Sequence, residues 1–121
     1  MSKVLEGIRV LDFGRYIAGP FCGTLLGDMG AEVIRVEKVD GSEDRFLSPI
    51  TKNGDGAMFL QLARNKRGMT LNPMKTEGQE VVKKLVATAD VVVANLPPET
   101  LKTMALDYES LCSSKPDIIL T

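Results

Sequence analysis

The chain has 121 residues, of which 44% are hydrophobic, 26% charged and 5% aromatic. That is the composition of one globular domain, long enough to bury roughly two thirds of its unfolded surface without staples. Two cysteines, Cys22 and Cys112, are too few for a disulfide scaffold, and without a leader pattern they set the expectation of a reduced, cytoplasmic setting. Fifteen Lys and Arg stand against sixteen Asp and Glu, for a net charge of -1, so the broad basic field of a nucleic-acid binder is excluded. Histidine is absent, which removes His-based catalysis and His-ligated metals from this stretch. The longest apolar runs fall far short of the roughly 20 residues of a membrane span.

The first element is a buried strand over residues 8–13, β-branched and mostly apolar between Gly7 and Gly14. From Pro20 onward Phe21, Leu25 and Met29 recur four residues apart with Leu26 alongside, which predicts a helix facing the core through that stripe, capped by Gly30. Residues 31–37 alternate as a second strand and lead into a Gly/Asp/Ser-rich loop over 38–44. Residues 48–55 lack a clear period, while Met58, Leu60 and Leu62 sit near a charged cluster at Arg64, Lys66 and Arg67, a region of mixed character. Residues 69–71 form a brief strand candidate. Thr76 and Gln79 have capping-box spacing ahead of Val81, Val82, Leu85, Val86 and Ala89 at helical spacing. A strand over 90–95, a break at Pro97-Pro98, helices over 99–104 and 107–113 and a last strand over 118–120 complete the pattern.

Apolar strands alternating with amphipathic helices imply an α/β class, a Rossmann-like parallel sheet covered on both faces. The core-type strand at the very end suggests that residues 1–121 are the truncated, N-terminal part of a longer protein. In such sheets ligands bind beyond the carboxyl ends of the strands, which singles out the loops starting at Gly14, Lys38, Asn72 and Asn95. Arg15, Lys38, Lys66, Arg67 and Lys75 are candidate cations for a phosphate there, beside the helix N-terminus near Pro20, although each also reads as a solvated loop charge. Glu37 stands where an acidic ribose ligand of a dinucleotide site would sit. The spacing of Gly14, Gly19 and Gly23 departs from G-x-G-x-x-G and argues against that site. Asp12, Glu32 and Glu37 read as structural carboxylates, and Cys22 and Cys112 as inert thiols without a histidine to activate them. Met58, Met69, Met74 and Met104 read as gap-filling core or interface residues.

Residues 5–13, Ala18-Gly19-Pro20, the run 26–37, Asn65-Lys66-Arg67-Gly68 and Glu77-Gly78 form an ordered series that resembles the family III CoA-transferases, the CaiB/BaiF group that also contains the α-methylacyl-CoA racemases. Residues 89–93, Asn95 and Lys115-Pro116 fit as well, so the resemblance spans essentially the whole chain. It implies that residues 1–121 are the N-terminal Rossmann-like CoA-binding segment of an enzyme that forms an interlocked homodimer. Positions matching the family's CoA contacts are Ile17 and Ala18, Lys38, Leu71, Asn72 and Lys75, and Asn95 with Leu96. Lys38 stands where relatives usually carry arginine, a point charge in place of a planar stacking surface.

The resemblance further implies acyl-CoA:carboxylate CoA transfer through an aspartyl mixed anhydride, the aspartate lying beyond residue 121. No catalytic residue is then expected in this stretch, which alone would be inactive. Coenzyme A and its acyl thioesters enter as substrates, with no permanently bound cofactor and no metal. The partners implied are an acyl-CoA and a carboxylic acid, with no nucleic acid and no membrane. Racemisation of an α-methylacyl-CoA, which the run 19–22 resembles, is one alternative, and a non-catalytic CoA-binding module is the other. The long stretch 39–62 favours the transferases. Ile17 replaces a polar residue that some oxalate-using relatives carry, which points to an acid less polar than oxalate.

Overall fold

A computed structural model describes residues 2–121. In chain order the elements are β1 (Arg9–Asp12), α1 (Ala18–Asp28), β2 (Glu32–Glu37), a 3₁₀ turn (Glu43–Phe46), α2 (Ala57–Leu62), β3 (Arg67–Thr70), α3 (Thr76–Val86), β4 (Val91–Val93), α4 (Pro98–Thr103), α5 (Tyr108–Ser114) and β5 (Ile119–Leu120). The five strands form one sheet in the order β3-β2-β1-β4-β5, parallel at every pairing, with Leu11 in register with Ile34 on one side and Val92 on the other. The sheet grows outward from β1 to β3, then returns to β4 beside β1. The strand order therefore reverses between β1 and β4, the place where doubly wound sheets open a crevice at their carboxyl edge.

Alternation along each strand sends side chains to two different interiors. Leu11, Phe13, Val36, Val92 and Ala94 pack with Val82, Val86, Leu106, Leu111 and Ile118 in the larger apolar cluster, beneath α3 and α5. Val10, Val33 and Val93 face the other way, with Cys22 and Leu26 of α1 packed against them. On that second face the strands also carry buried charges, Asp12 beneath α1 and Arg35 and Glu37 beneath the segment that holds the 3₁₀ turn and α2.

Helix α1 corrects the expectation drawn from its apolar stripe. Phe21, Leu25 and Met29 are 48%, 46% and 43% exposed, while the buried residues of the helix are Gly19, Pro20, Gly23, Thr24 and Gly27. The small residues let the helix axis approach the sheet closely. A Cβ on Gly14 would stand 2.7 Å from the Gly19 Cα, and one on Gly23 would stand 2.9 Å from an Asp12 carboxylate oxygen. The three glycines thus serve helix-on-strand packing around Asp12, which explains why their spacing departs from a phosphate-wrapping turn. Gly30 does end the helix as expected, with φ of 110° just past the Met29 cap.

The capping box also fails. Helix α3 begins at Thr76 with Lys75 as its N-cap and no side-chain cap, and the Gln79 amide instead donates to the Thr103 carbonyl at 2.8 Å, tying α3 to the end of α4. The mixed region around Met58, Leu60 and Leu62 forms α2, a six-residue helix with no fully buried residue, too short to show a period. Before α5, Asp107 accepts a hydrogen bond from the Ser110 N–H, a side-chain cap of the usual kind.

Candidate functional site

A cleft of about 400 Å³ opens at the carboxyl edge of β1, β2 and β3, lined among others by Phe13, Arg15, Lys38, Leu71, Asn72 and Met74. Its volume suits a nucleoside-sized group. A second recess of about 320 Å³ adjoins it over β4, lined among others by Tyr16, Glu43, Asn95 and Leu96. Arg15 and Thr100 line both, so the two hollows form one continuous edge across the point where the strand order reverses.

The sequence-predicted positions fall in three places along this edge. Lys38, Leu71 and Asn72 line the cleft; Asn95 and Leu96 line the recess. Ile17, Ala18 and Lys75 are exposed at the starts of α1 and α3, outside both linings. Met74, read as core or interface filler, is 56% exposed and belongs to the cleft wall, whereas Met104 is buried.

Asn95 is spent on the protein itself. Its Oδ1 accepts from the Arg15 N–H at 2.7 Å and its Nδ2 donates to the Arg15 carbonyl at 2.9 Å. This two-point bond fastens the end of β4 to the β1–α1 turn, where Tyr16 takes φ of 59°, a left-handed conformation that a non-glycine residue holds only when its surroundings enforce it. Asn72 does similar work after β3, with Oδ1 accepting from the Met74 N–H at 3.1 Å. Gly78 leaves no room for a side chain against the Asn72 carbonyl, so α3 starts close to the ligand edge.

The cations sort sharply. The Arg15 guanidinium donates to both Glu43 oxygens at 3.0 Å, and the Lys38 ammonium pairs with the same carboxylate. The hydrogen bond from Lys38, with Arg15 close by, pulls the Glu43 carboxyl from 4.5 to about 2. Glu43 went unnoticed in the sequence because it sits in an aperiodic loop, five residues past Lys38. Two other candidate phosphate cations are excluded. Lys66 is buried, its Nζ 2.7 Å from Asp12 Oδ2 and 2.7 Å from the Pro20 carbonyl, and Arg67 binds Glu32 at the opposite, amino end of the sheet. Burial lowers the Lys66 ammonium below its ordinary value even with Asp12 beside it.

Glu37 does not face a ribose seat. Arg45 grips it with two hydrogen bonds of 2.8 and 2.6 Å, and the Ser42 N–H adds a third of 3.0 Å. Burial alone would raise this carboxyl, but these donors and the nearby Arg35 charge hold it below its ordinary value. Arg35 in turn donates to both oxygens of buried Asp44 at 2.8 Å, and the Phe59 ring of α2 lies 3.9 Å from the Arg45 guanidinium. Asp12, Glu32 and Glu37 are thus structural carboxylates, as read from the sequence. Burial raises the Cys22 thiol, with Asp12 adding to it, against any nucleophilic use. Among the described residues no group of His, Cys, Asp and Glu is arranged to hold a metal, and no helix is long and apolar enough to cross a membrane.

Comparison with known proteins places this edge in context. The chain is 42% identical over 118 residues to a succinyl-CoA:glutarate CoA-transferase of Mus musculus, covering 97% of this chain and 27% of that protein. It is 43% identical to the beta subunit of a succinyl-CoA–L-malate CoA-transferase of Chloroflexus aurantiacus, covering 96% of this chain and 29% of the other. Among solved structures, a CaiB/BaiF family protein from Brucella suis superimposes with a TM-score of 0.90 at 37% identity, over 99% of this chain and 33% of that one. The chain therefore spans less than a third of the length of these relatives. The family model of CoA-transferase family III matches residues 5–121, and the chain belongs to that family.

Proposed function

We propose that this chain forms the coenzyme-A edge of an acyl-CoA:carboxylate CoA-transferase, with succinyl-CoA or a similar acyl-CoA as donor and a carboxylic acid as acceptor. The observation that carries this reading is the pair Arg15 and Lys38, held together at the mouth of a nucleoside-sized cleft on the carboxyl edge of a parallel sheet. Coenzyme A has an adenosine to fill such a cleft and phosphates to meet two cations, so charge-assisted contacts there select it. Ile17, Ala18, Lys38, Leu71, Asn72, Lys75, Asn95 and Leu96 are the proposed contacts. Asn95 and Asn72 reach the ligand through the loops they fix. Relatives named as succinyl-CoA-dependent transferases support transfer over racemisation and over a non-catalytic module.

In the proposed reaction an aspartate supplied by residues outside this chain attacks the thioester carbonyl. The C–S bond breaks, the CoA thiolate leaves and a mixed anhydride forms. The thiolate then attacks the enzyme's acyl carbon, which frees the donor acid and leaves an enzyme thioester for the acceptor acid. Asp12 and Asp44, the buried aspartates here, are both consumed in ion pairs, which supports a nucleophile supplied from elsewhere. The same reading makes the full-length protein a homodimer acting in the cytoplasm, with CoA as substrate and no resident cofactor. The test incubates full-length protein with succinyl-CoA and candidate acids and follows new thioesters, with α-proton exchange of a 2-methylacyl-CoA measured in parallel. Lys38→Glu is expected to weaken CoA binding by about 1 to 3 kcal/mol. Proton exchange without thioester exchange overturns the transferase reading, and unchanged CoA affinity in Lys38→Glu removes Lys38 from the site.

A further inference from the structure

We infer that Glu43 is a built-in anion that occupies the seat between Arg15 and Lys38 and reserves it for a polyphosphate, keeping carboxylic acids out. The inference rests on the coenzyme-A reading above and concerns what that edge rejects. A CoA-transferase must bind one ligand with phosphates while bathed in free carboxylates, the other half of its own reaction. A bare Arg–Lys pair would not tell the two apart, because a guanidinium forks onto a carboxylate as readily as onto a phosphate.

The geometry supplies the discrimination. Glu43 meets one Arg15 nitrogen, Nη1, with both oxygens at 3.0 Å and meets Lys38 with one, so the seat already holds a carboxylate bound through both oxygens, as an incoming acid would be. A free carboxylate gains nothing by exchange, since it offers the same two oxygens and loses its freedom in binding. A diphosphate brings more oxygens and more charge, so it can draw both cations and still displace Glu43 at a profit. The carboxylate is placed to leave. Glu43 opens the short 3₁₀ turn Glu43–Phe46, with no side-chain cap at its start, and its side chain is 37% exposed. The neighbours on either side, Ser42 and Asp44, are buried and anchored to Glu37 and Arg35. The seat can therefore empty by rotation of one side chain, without loss of the loop.

The experiment titrates the 121-residue chain and its Glu43→Gln variant with inorganic pyrophosphate, adenosine 3′,5′-bisphosphate and succinate, reading the Lys38 ammonium and Arg15 guanidinium resonances. In the native chain pyrophosphate and the bisphosphate are expected to shift both groups, with succinate leaving them unmoved at the same concentration. Glu43→Gln is expected to bind pyrophosphate about tenfold tighter and to acquire a saturable response to succinate. A second reading needs no variant: pyrophosphate should free the Glu43 carboxyl in the native chain and raise its titration midpoint from about 2 toward 4.5. Pyrophosphate affinity unchanged in Glu43→Gln, native succinate binding equal to the variant's, or a Glu43 midpoint unmoved by pyrophosphate each overturns the inference. Pyrophosphate seated at Arg15 and Lys38 while CoA binds elsewhere sinks the coenzyme-A reading instead.

Discussion

On the face of the sheet that carries α3 and α5, Leu11, Val36, Val82, Val92, Leu106 and Leu111 close into a single apolar cluster. The opposite face divides in two: beneath α1 it is apolar apart from the Asp12–Lys66 pair, but beneath the 3₁₀ turn and α2 the pairs Arg35–Asp44 and Glu37–Arg45 fill the space. Apolar contact is non-directional and rewards area alone. Ion pairs in a low-dielectric interior reward only correct geometry and penalise a missing partner heavily. The difference matters for function because the segment 42–62 is the cover that brings Glu43 to Arg15 and Lys38. A greasy seal would fix how much of that cover is buried, whereas two charge pairs, Arg35–Asp44 and Glu37–Arg45, fix where it sits. The arrangement has a cost: Nε and Nη1 of buried Arg35 find no hydrogen-bond partner.

The sharpest way to break this comparison is to remove one member of the deepest pair. Lys66→Ala leaves the Asp12 carboxylate buried with only the Gly14 N–H, at 2.8 Å, among its protein donors, and should destabilise the chain by about 3 to 5 kcal/mol in urea unfolding. Replacing both partners, as Asp12→Leu with Lys66→Met, should recover most of that loss, because an apolar pair of similar volume leaves no stranded charge. A loss under about 1 kcal/mol for Lys66→Ala alone would show that this pair is solvated in practice.

A second pair of variants compares one residue type across the two kinds of surface. Leu111 is 1% exposed in the apolar cluster, and Leu25 is 46% exposed on the outer stripe of α1. Leu111→Ala should cost about 2 to 5 kcal/mol through lost transfer and the cavity left behind, and Leu25→Ala under about 1 kcal/mol. Equal losses would mean that the stripe is covered in solution and that α1 is not a surface helix.

These two leucines also mark where the sequence could be read and where it could not. Strands such as 91–93 were legible because a β-branched run bounded by breakers has few other fates. The orientation of α1 was not, because periodicity assumes that a helix buries its largest apolar residues. Gly19, Gly23 and Gly27, four apart, were the available signal for a close approach through small residues. The carboxyl-edge rule found Lys38 and Asn72 in the cleft, since topology alone places strand ends, and Leu71 came from the family resemblance. It could not find Glu43, nor exclude Lys66 and Arg67, because a loop charge carries no period and its partner is chosen by tertiary contact. The 3₁₀ turn and α2 were hidden for the same reason, the turn being held by Arg35 and Glu37 of β2 and α2 by the Phe59 ring over the Arg45 guanidinium.

The smallest expected effect probes the exposed end of the charged cover. The Glu43 carboxyl is held at about 2, against 4.5 when unpaired, so the unfolded chain takes up a proton there more readily than the folded one. Its contribution to stability is complete above 4.5 and is lost as the pH falls toward about 2. Glu37, also held below its ordinary value, contributes to the same acid limb with the same sign. Glu43→Gln should therefore flatten the limb without abolishing it, leaving the share of Glu37. The change is modest, because the Glu43 side chain is 37% exposed and its field is screened by water and salt. The measurement is the urea midpoint of native chain and variant at a series of pH values across that window, at low and high salt. A limb that flattens at low salt and converges at high salt places Glu43 at the rim of the charged cover. Superimposable limbs at both salt concentrations would mean that Glu43 points into solvent, leaving Arg15 and Lys38 unclamped and the contrast between the two faces confined to the buried pairs.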